Sequence, residues 1–410
     1  MAGLVLVLGL FHPSTAEAYI DPGTGSALVY VVTGLVVSAY FGVRGLYYRI
    51  VERILRTRYA DQSCDLAIHC EDPRYEITFL PVLHELSLRG ERATLFTMYE
   101  RGADSAPLPE GCTHRAIAPG MVGYSYLNHL QARMLITTTP QLDVMMFRRS
   151  KRVLHYCHIP HALGESRYVR PYAYDFFDSV LCCGPVMENN ICRIEEIRQL
   201  PKKQLYRTGI PHYDELARQA VDRREPGARK TVLVAPSWGP FSLFERFGTG
   251  FVREIAARHH VLVRPHPQMR FSQAALYAEI LALDSVEVDT SATPAYAMSR
   301  ADLLVSDISG IMHEFAFIYQ RPAIIVDHEI GHGGLEGALL GGKSELRELC
   351  REVIVPIPEA RMAHIADEVD AALGRALSTR IAEVRDHVVY QYGNAASASA
   401  GQIVDILRCL

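Results

Sequence analysis

From Cys64 onward the chain alternates short apolar runs with longer amphipathic stretches, a rhythm that predicts βα units built on parallel sheets. Residues 65–69, 93–98, 134–138, 152–157 and 179–183 read as strands of a first sheet, with a helix over 75–88 that stops at Gly90. A second set of strands is expected at 232–235, 260–264, 286–288, 302–306 and 323–326. Helices over 359–376 and 381–407 should cap this second set and return toward the first. Between the sets, residues 218–230 are charged, poor in large apolar side chains and broken by Pro226-Gly227, which marks a domain boundary. The expected organisation is an amino-terminal segment over 1–59, one Rossmann-like domain over 60–217 and another over 218–410.

The first 59 residues follow a different pattern. Residues 27–43 are uncharged and mostly apolar, and at about 1.5 Å per residue they come close to the ~30 Å hydrocarbon thickness of a bilayer. They predict a single membrane helix. Arg44, Arg49, Arg53, Arg56 and Arg58 follow it, so the positive-inside rule puts the two domains in the cytoplasm, at the inner membrane. Residues 19–26 read as a turn with Ser26 as helix cap, and Ala16-Glu17-Ala18 has the small-x-small form of a cleavage site, although no basic residue precedes the apolar run.

Composition narrows the chemistry. The 410 residues are 49% hydrophobic and 21% charged with a net charge of −4, so no broad basic field favours a nucleic-acid partner. Nine scattered cysteines, including the adjacent Cys182 and Cys183, lack the spacing of a disulfide framework or zinc knuckle and read as reduced, buried thiols. There is no Walker A loop, G-x-G-x-x-G, G-x-S-x-G or H-E-x-x-H, which removes the common signatures of P-loop hydrolysis, hydride transfer, serine hydrolysis and zinc proteolysis.

In doubly wound sheets a ligand sits beyond the carboxyl ends of the strands, and several polar motifs fall there. The segment Ser306-Asp307-Ile308-Ser309-Gly310 joins a buried strand to a helix start. Ser309 and Gly310 should leave the first-turn N–H groups open to a phosphate. Asp307 reads either as a ligand or as a helix cap, and Glu314 as an acceptor for ribose hydroxyls or a solvated carboxylate. Arg264-Pro265-His266-Pro267 ends the strand at 260–264. The two prolines fix the backbone, so His266 is expected to donate to a phosphate oxygen or protonate a leaving group, with Arg264 adding charge or pairing with an acid. In the first domain His158 and His161 follow a strand, and one of them should act as general base facing His266 across the interdomain cleft. Pro160 separates them and no further ligand completes a set, so no metal is expected there. Thr137-Thr138-Thr139-Pro140 reads as a turn beside that crevice.

Taken in order, these motifs resemble those of the CDP-glycerol glycerophosphotransferase family, membrane-associated enzymes that prime or polymerise teichoic-acid-type chains. The similarity is carried by Ala235-Pro236-Ser237-Trp238, His266-Pro267, Ser306-Asp307-Ile308-Ser309-Gly310, Glu314-Phe315 and Gln320-Arg321-Pro322. Cys157-His158 and His161-Ala162 stand where that family has Trp-His-Gly, and Gly310 replaces a second serine. The resemblance implies a GT-B fold, a CDP-linked donor, a lipid-linked or polymeric hydroxyl acceptor and no cofactor. It also implies catalysis by His161 or His158 with His266, and donor binding by Arg264, Ser306, Asp307, Ser309, Gly310 and Glu314. Two other readings fit the same residues: a sugar-nucleotide glycosyltransferase on this architecture, and a catalytically silent, membrane-tethered nucleotide-binding protein.

Overall fold

The computed structural model describes residues 22–58, 63–103, 105–224, 229–291, 293–327, 333–375 and 377–410. The chain divides into two compact units, residues 1–61 and 62–410. In the first, a single helix α1 spans Pro22–Arg58, so position 26 lies within the helix and not at its cap; proline suits a helix start because its missing N–H would be unpaired there anyway. Residues 30–47 within α1 are long and apolar enough to cross a membrane, although a signal sequence would pass the same test. The cleavage motif at 16–18 lies outside the described residues.

Residues 62–410 hold two parallel sheets. The first comprises β1 (Ser63–Cys70), β2 (Ala93–Thr97), β3 (Cys112–Ala116), β4 (Gln131–Thr137), β5 (Val153–His158), β6 (Ser179–Cys182) and β7 (Gln204–Arg207). Its order is β3-β2-β1-β4-β5-β6-β7. The second comprises β8 (Thr231–Val234), β9 (His260–Val263), β10 (Glu287–Val288), β11 (Leu303–Ser306), β12 (Ala323–Asp327) and β13 (Ile354–Pro358), ordered β10-β9-β8-β11-β12-β13. The strands are near-continuous apolar runs because helices cover both faces of each sheet: β11 is buried at every position. The apolar pattern does not announce β3, β7 or β13, and all three are sheet edges.

Helix α2 (Glu76–Leu88) packs on the first sheet beside α6 (Ala395–Cys409), the last helix of the chain. Ile403, Val404 and Leu407 share a core with Leu66, Ile68 and Leu83. The final helix therefore packs on the first domain, the return foreseen for it, although the 218–410 range grouped it with the second. The expected continuous helix over 381–407 is broken: α5 (Ser378–Val388) ends at a crossing, where Tyr390 N donates to Cys183 O at 2.9 Å. Gly184 and Gly209 admit this crossing. A Cβ on either would stand 1.9 Å from Val388 O or 2.1 Å from Tyr390 O. A single apolar core joins Val180, Met187 and Tyr213 to Leu304, Phe315 and Ile354, so the two sheets share buried contacts along one side of the cleft.

Candidate active site

Strand order reverses direction between β8 and β11 in the second sheet and between β1 and β4 in the first. Crevices at such points lie beyond the carboxyl ends of the strands. At the second crevice, Ser306 Oγ donates to Ala235 O at 2.7 Å, and the Asp307 carboxylate accepts Ser237 N at 2.8 Å and Leu243 N at 3.1 Å. Both residues are essentially inaccessible, and burial pushes the Asp307 carboxyl above its usual range. Neither the donor-binding role nor the helix-cap role expected for Asp307 fits this geometry: Ser306 and Asp307 tie the 235–243 loop to the β11 turn. Arg264 is a brace as well. It is buried against Asp289 Oδ2 at 2.7 Å and Ser291 O at 3.0 Å, which uses the charge foreseen for a donor phosphate.

What those braces hold open is backbone. Helix α3 (Ile311–Tyr319) starts after Gly310, and no side chain caps it. Met312 N reaches back to Ser309 O at 3.3 Å and His313 N to Gly310 O at 3.1 Å, while Gly310 is exposed and Ser309 half-buried. The positive end of the helix dipole thus faces the space between the sheets without a side-chain cap. Glu314 stands 3.7 Å from His212 Nε2, so its carboxylate has a protein neighbour from the 211–219 helix. At the end of β9, His266 Nδ1 accepts the Gln268 N–H at 3.2 Å, which leaves the proton of the neutral ring on Nε2. Its ring lies 6.2 Å from that of Trp238. Burial lowers the pKa of His266, and the positive charges of Arg74 and Arg264 lower it further.

In the first domain β5 delivers His158 between Tyr174 and Phe177, with ring centroids 4.9 and 5.2 Å away. The residue is buried, its Nδ1 has no hydrogen-bond partner, and desolvation takes its pKa down to about 3. His161 is exposed at the loop beyond, 4.4 Å from the Tyr75 ring. Desolvation of the ring against neighbouring protein, then the charges of His212 and Arg74, hold its pKa below the usual imidazole range, so the ring is neutral near pH 7. Among the described residues no group of three or more His, Cys, Asp or Glu is arranged to share a metal ion.

A cavity of about 530 Å³ opens between the sheets, and His158, His161 and Gly310 all line it, with Thr138, Glu165 and His313. Buried within this wall, the Nδ1 of His313 and the Oγ1 of Thr138 have no hydrogen-bond partner. One rim is clamped across the domains. Glu165 accepts Glu345 N at 3.1 Å and the Ser344 hydroxyl, at the start of α4 (Glu345–Cys350), and pairs with Arg167, which donates to Gly342 O at 2.8 Å. Arg198 meets Glu336 at 2.6 Å. Sequence reasoning missed Arg74, Glu165, His212 and His313. The Asp72-Pro73-Arg74 turn after β1 and the Pro211-His212 pair after β7 were the signals to be read, since each follows the carboxyl end of a strand.

No protein-family model and no curated protein matches the chain by sequence. Its fold is similar to solved structures. The wall teichoic acid polymerase TagF soaked with CDPG superposes with a TM-score of 0.53 at 12% identity, over 92% of this chain and 98% of that one. The glycotransferase of kitacinnamycin gives 0.50 at 12% identity, over 83% and 98%. UDP-GlcNAc 2-epimerase from Neisseria meningitidis bound to UDP-GlcNAc gives 0.51 at 11%, over 85% and 100%. At such identities the likeness shows architecture, and it shows that the two parallel-sheet domains of this chain form a GT-B fold.

Proposed function

We propose that this chain is a transferase that moves glycerol phosphate, or a related polyol phosphate, from a CDP-activated donor to a hydroxyl acceptor of a cell-envelope polymer, releasing CMP. The observation that carries the reading is the uncapped start of α3 at Gly310 sharing one interdomain cavity with His161. A phosphate at the helix start would be held by N–H groups and dipole without any cationic side chain. His161, neutral because its surroundings disfavour the charged ring, removes the proton of the acceptor hydroxyl. That oxygen attacks the glycerol-bearing phosphorus, the bond from phosphorus to the bridging oxygen breaks, and CMP departs with that oxygen. His266 Nε2–H donates to the charge that develops on the phosphate oxygens. His158 sits deeper and orients the wall through its packing. The motif order from Ala235 to Pro322 and the likeness to TagF both favour this donor class. Helix α1 and its arginine flank support attachment to the inner membrane with the catalytic body in the cytoplasm.

A sugar-nucleotide glycosyltransferase is the second reading, favoured by the similarity of the same fold to a glycotransferase and to an epimerase bound to UDP-GlcNAc. Attack would then fall on an anomeric carbon and a nucleoside diphosphate would leave. Purified full-length protein offered CDP-glycerol, CDP-ribitol, UDP-sugars and GDP-sugars with membrane-extracted acceptor separates the two. Release of CMP from a CDP-polyol is the expected outcome, and release of UDP or GDP from a sugar nucleotide would overturn it.

A further inference from the structure

The proposed reaction builds negative charge on a phosphate, yet the cationic groups foreseen for it are already engaged or uncharged. Arg264 is committed to Asp289 and Ser291, and the depressed pKa values of His161 and His266 leave both rings neutral near pH 7. A guanidinium from the first domain stands beside the Tyr75 ring that packs on His161. Arg74 sits on the short 3₁₀ turn Pro73–Tyr75 that follows β1, at the point where strand order reverses. Asp72 fixes it: Oδ1 accepts the Arg74 backbone N–H at 2.9 Å and Nε–H at 2.8 Å, and Oδ2 accepts Nη2–H at 2.8 Å.

This fork consumes one edge of the guanidinium and leaves Nη1 with no described partner on a side chain that is 69% exposed. The Arg74 Cζ lies 5.9 Å from the Tyr75 ring centroid, and that ring packs at 4.4 Å on His161. Arg74 thus sits beside the proposed base on one side. Its charge is also felt by His266 of the other domain, where it acts more strongly than that of Arg264.

A paired, exposed arginine is ordinarily a surface ion pair that adds little to stability, and here the pair spans two residues of one turn. That small structural value separates its stability role from any role in the cleft. We propose that Arg74, oriented by Asp72, is the cationic clamp of the reacting phosphate, contributed by the first domain to an anion whose other contacts come from α3 and His266. The inference rests on the phosphoryl-transfer reading, but it concerns the anion site whichever group the phosphate carries. An arginine pre-oriented by a carboxylate presents its remaining N–H edge at little entropic cost, which a lysine at this position would not.

The test compares full-length wild type with Arg74→Gln, Arg74→Lys and Asp72→Asn. With CDP-glycerol as donor, Arg74→Gln should lower kcat/KM by roughly 100-fold or more with Tm unchanged, since one transition-state donor to an anion contributes on that scale. Asp72→Asn should lose less, and Arg74→Lys should recover part of the loss. The acid limb of the pH profile should move upward in Arg74→Gln, because removing the nearby positive charge lets His161 and His266 protonate more easily. Retention of kcat/KM within threefold in Arg74→Gln, or a loss that follows a fall in Tm, overturns the clamp. Absence of turnover in the wild type would count against the donor assignment alone. Thermal shift with inorganic pyrophosphate then decides the clamp: stabilisation of wild type but not of Arg74→Gln supports it, and equal or absent stabilisation of both overturns it.

Discussion

The turn after β11 and the loops after β4 and β5 line one cavity but are built in opposite ways. The β11 turn is compact in sequence, and its polar side chains are spent inside the protein: Ser306 on Ala235, Asp307 on Ser237 and Leu243. What remains for a ligand is bare backbone at Ser309 and Gly310. On the other side the candidate groups are side chains from separate segments, Arg74, His158, His161 and His212. Their nitrogens include the unpartnered Nδ1 atoms of His158 and His212. A contiguous polar motif can thus be a scaffold whose function lies in the groups it leaves open. Dispersed residues become a site only when separate strands end at the same place.

The largest effect that would break this comparison is on turnover. His161→Ala should reduce kcat by about 10²–10⁴-fold, the range of a general base, while the buried scaffold keeps its stability because His161 is exposed. If both His161→Ala and His266→Ala keep full activity in polymer synthesis that depends on the protein, the catalytic reading of the first-domain loops fails and a scaffold role replaces it. Next in size, Asp307→Ala should destabilise the fold by about 2–4 kcal/mol, because Ser237 N and Leu243 N both lose their acceptor in a buried site. Denaturant unfolding measures this, and an unchanged midpoint would remove the bracing role.

A third effect is set by pH. His69 and His158 are buried with pKa values near 3, and His313 near 4, against about 6.5 in an unfolded chain. Between these values the unfolded state binds more protons, so stability falls as pH drops from about 6.5 toward 3, at up to about 1.4 kcal/mol per unit for each histidine. Above pH 7 these residues add no slope. Unfolding midpoints followed from pH 7.5 to 4.5 should show the decline, and His158→Asn should make it shallower; a flat profile would mean that these rings do not remain neutral in the fold. The smallest expected effect on stability belongs to Gly310→Ala. Gly310 has φ −59°, and a Cβ added there would meet nothing within 4 Å, so stability should change by less than about 0.5 kcal/mol. That Cβ would nonetheless intrude on the open helix start, and the measure that matters is donor KM.

Most of the strands that sequence reasoning found are central ones, because burial on both faces leaves an unbroken apolar run such as Leu303-Leu304-Val305; the edge strand β10, expected at 286–288, is the exception. The other three edges escaped it for a physical reason. β3 and β7 are polar and partly exposed, and β13 carries Pro356 and Pro358, residues that sheets tolerate only where a ladder hydrogen bond is not needed. The break between α5 and α6 was hidden too, since the apolar spacing continues through it and only the close approach to Gly184 and Gly209 shows where the chain crosses.

For the site, the sequence by itself determined where strands end and which polar residues stand there: His158, His161, His266 and the Ser306–Gly310 turn are legible because proline, glycine and the end of an apolar run are local signals. Tertiary structure alone decided which of them stay open to the cavity and which are spent on neighbours. Whether Asp307 or Arg264 meets a phosphate or a neighbour depends on Ser237, Leu243 and Asp289, tens of residues away in the chain, and no local pattern encodes that pairing. The same holds for Arg74 and His266: the guanidinium and the ring belong to different sheets, and the effect of that charge on that ring follows only from the packing of the two domains.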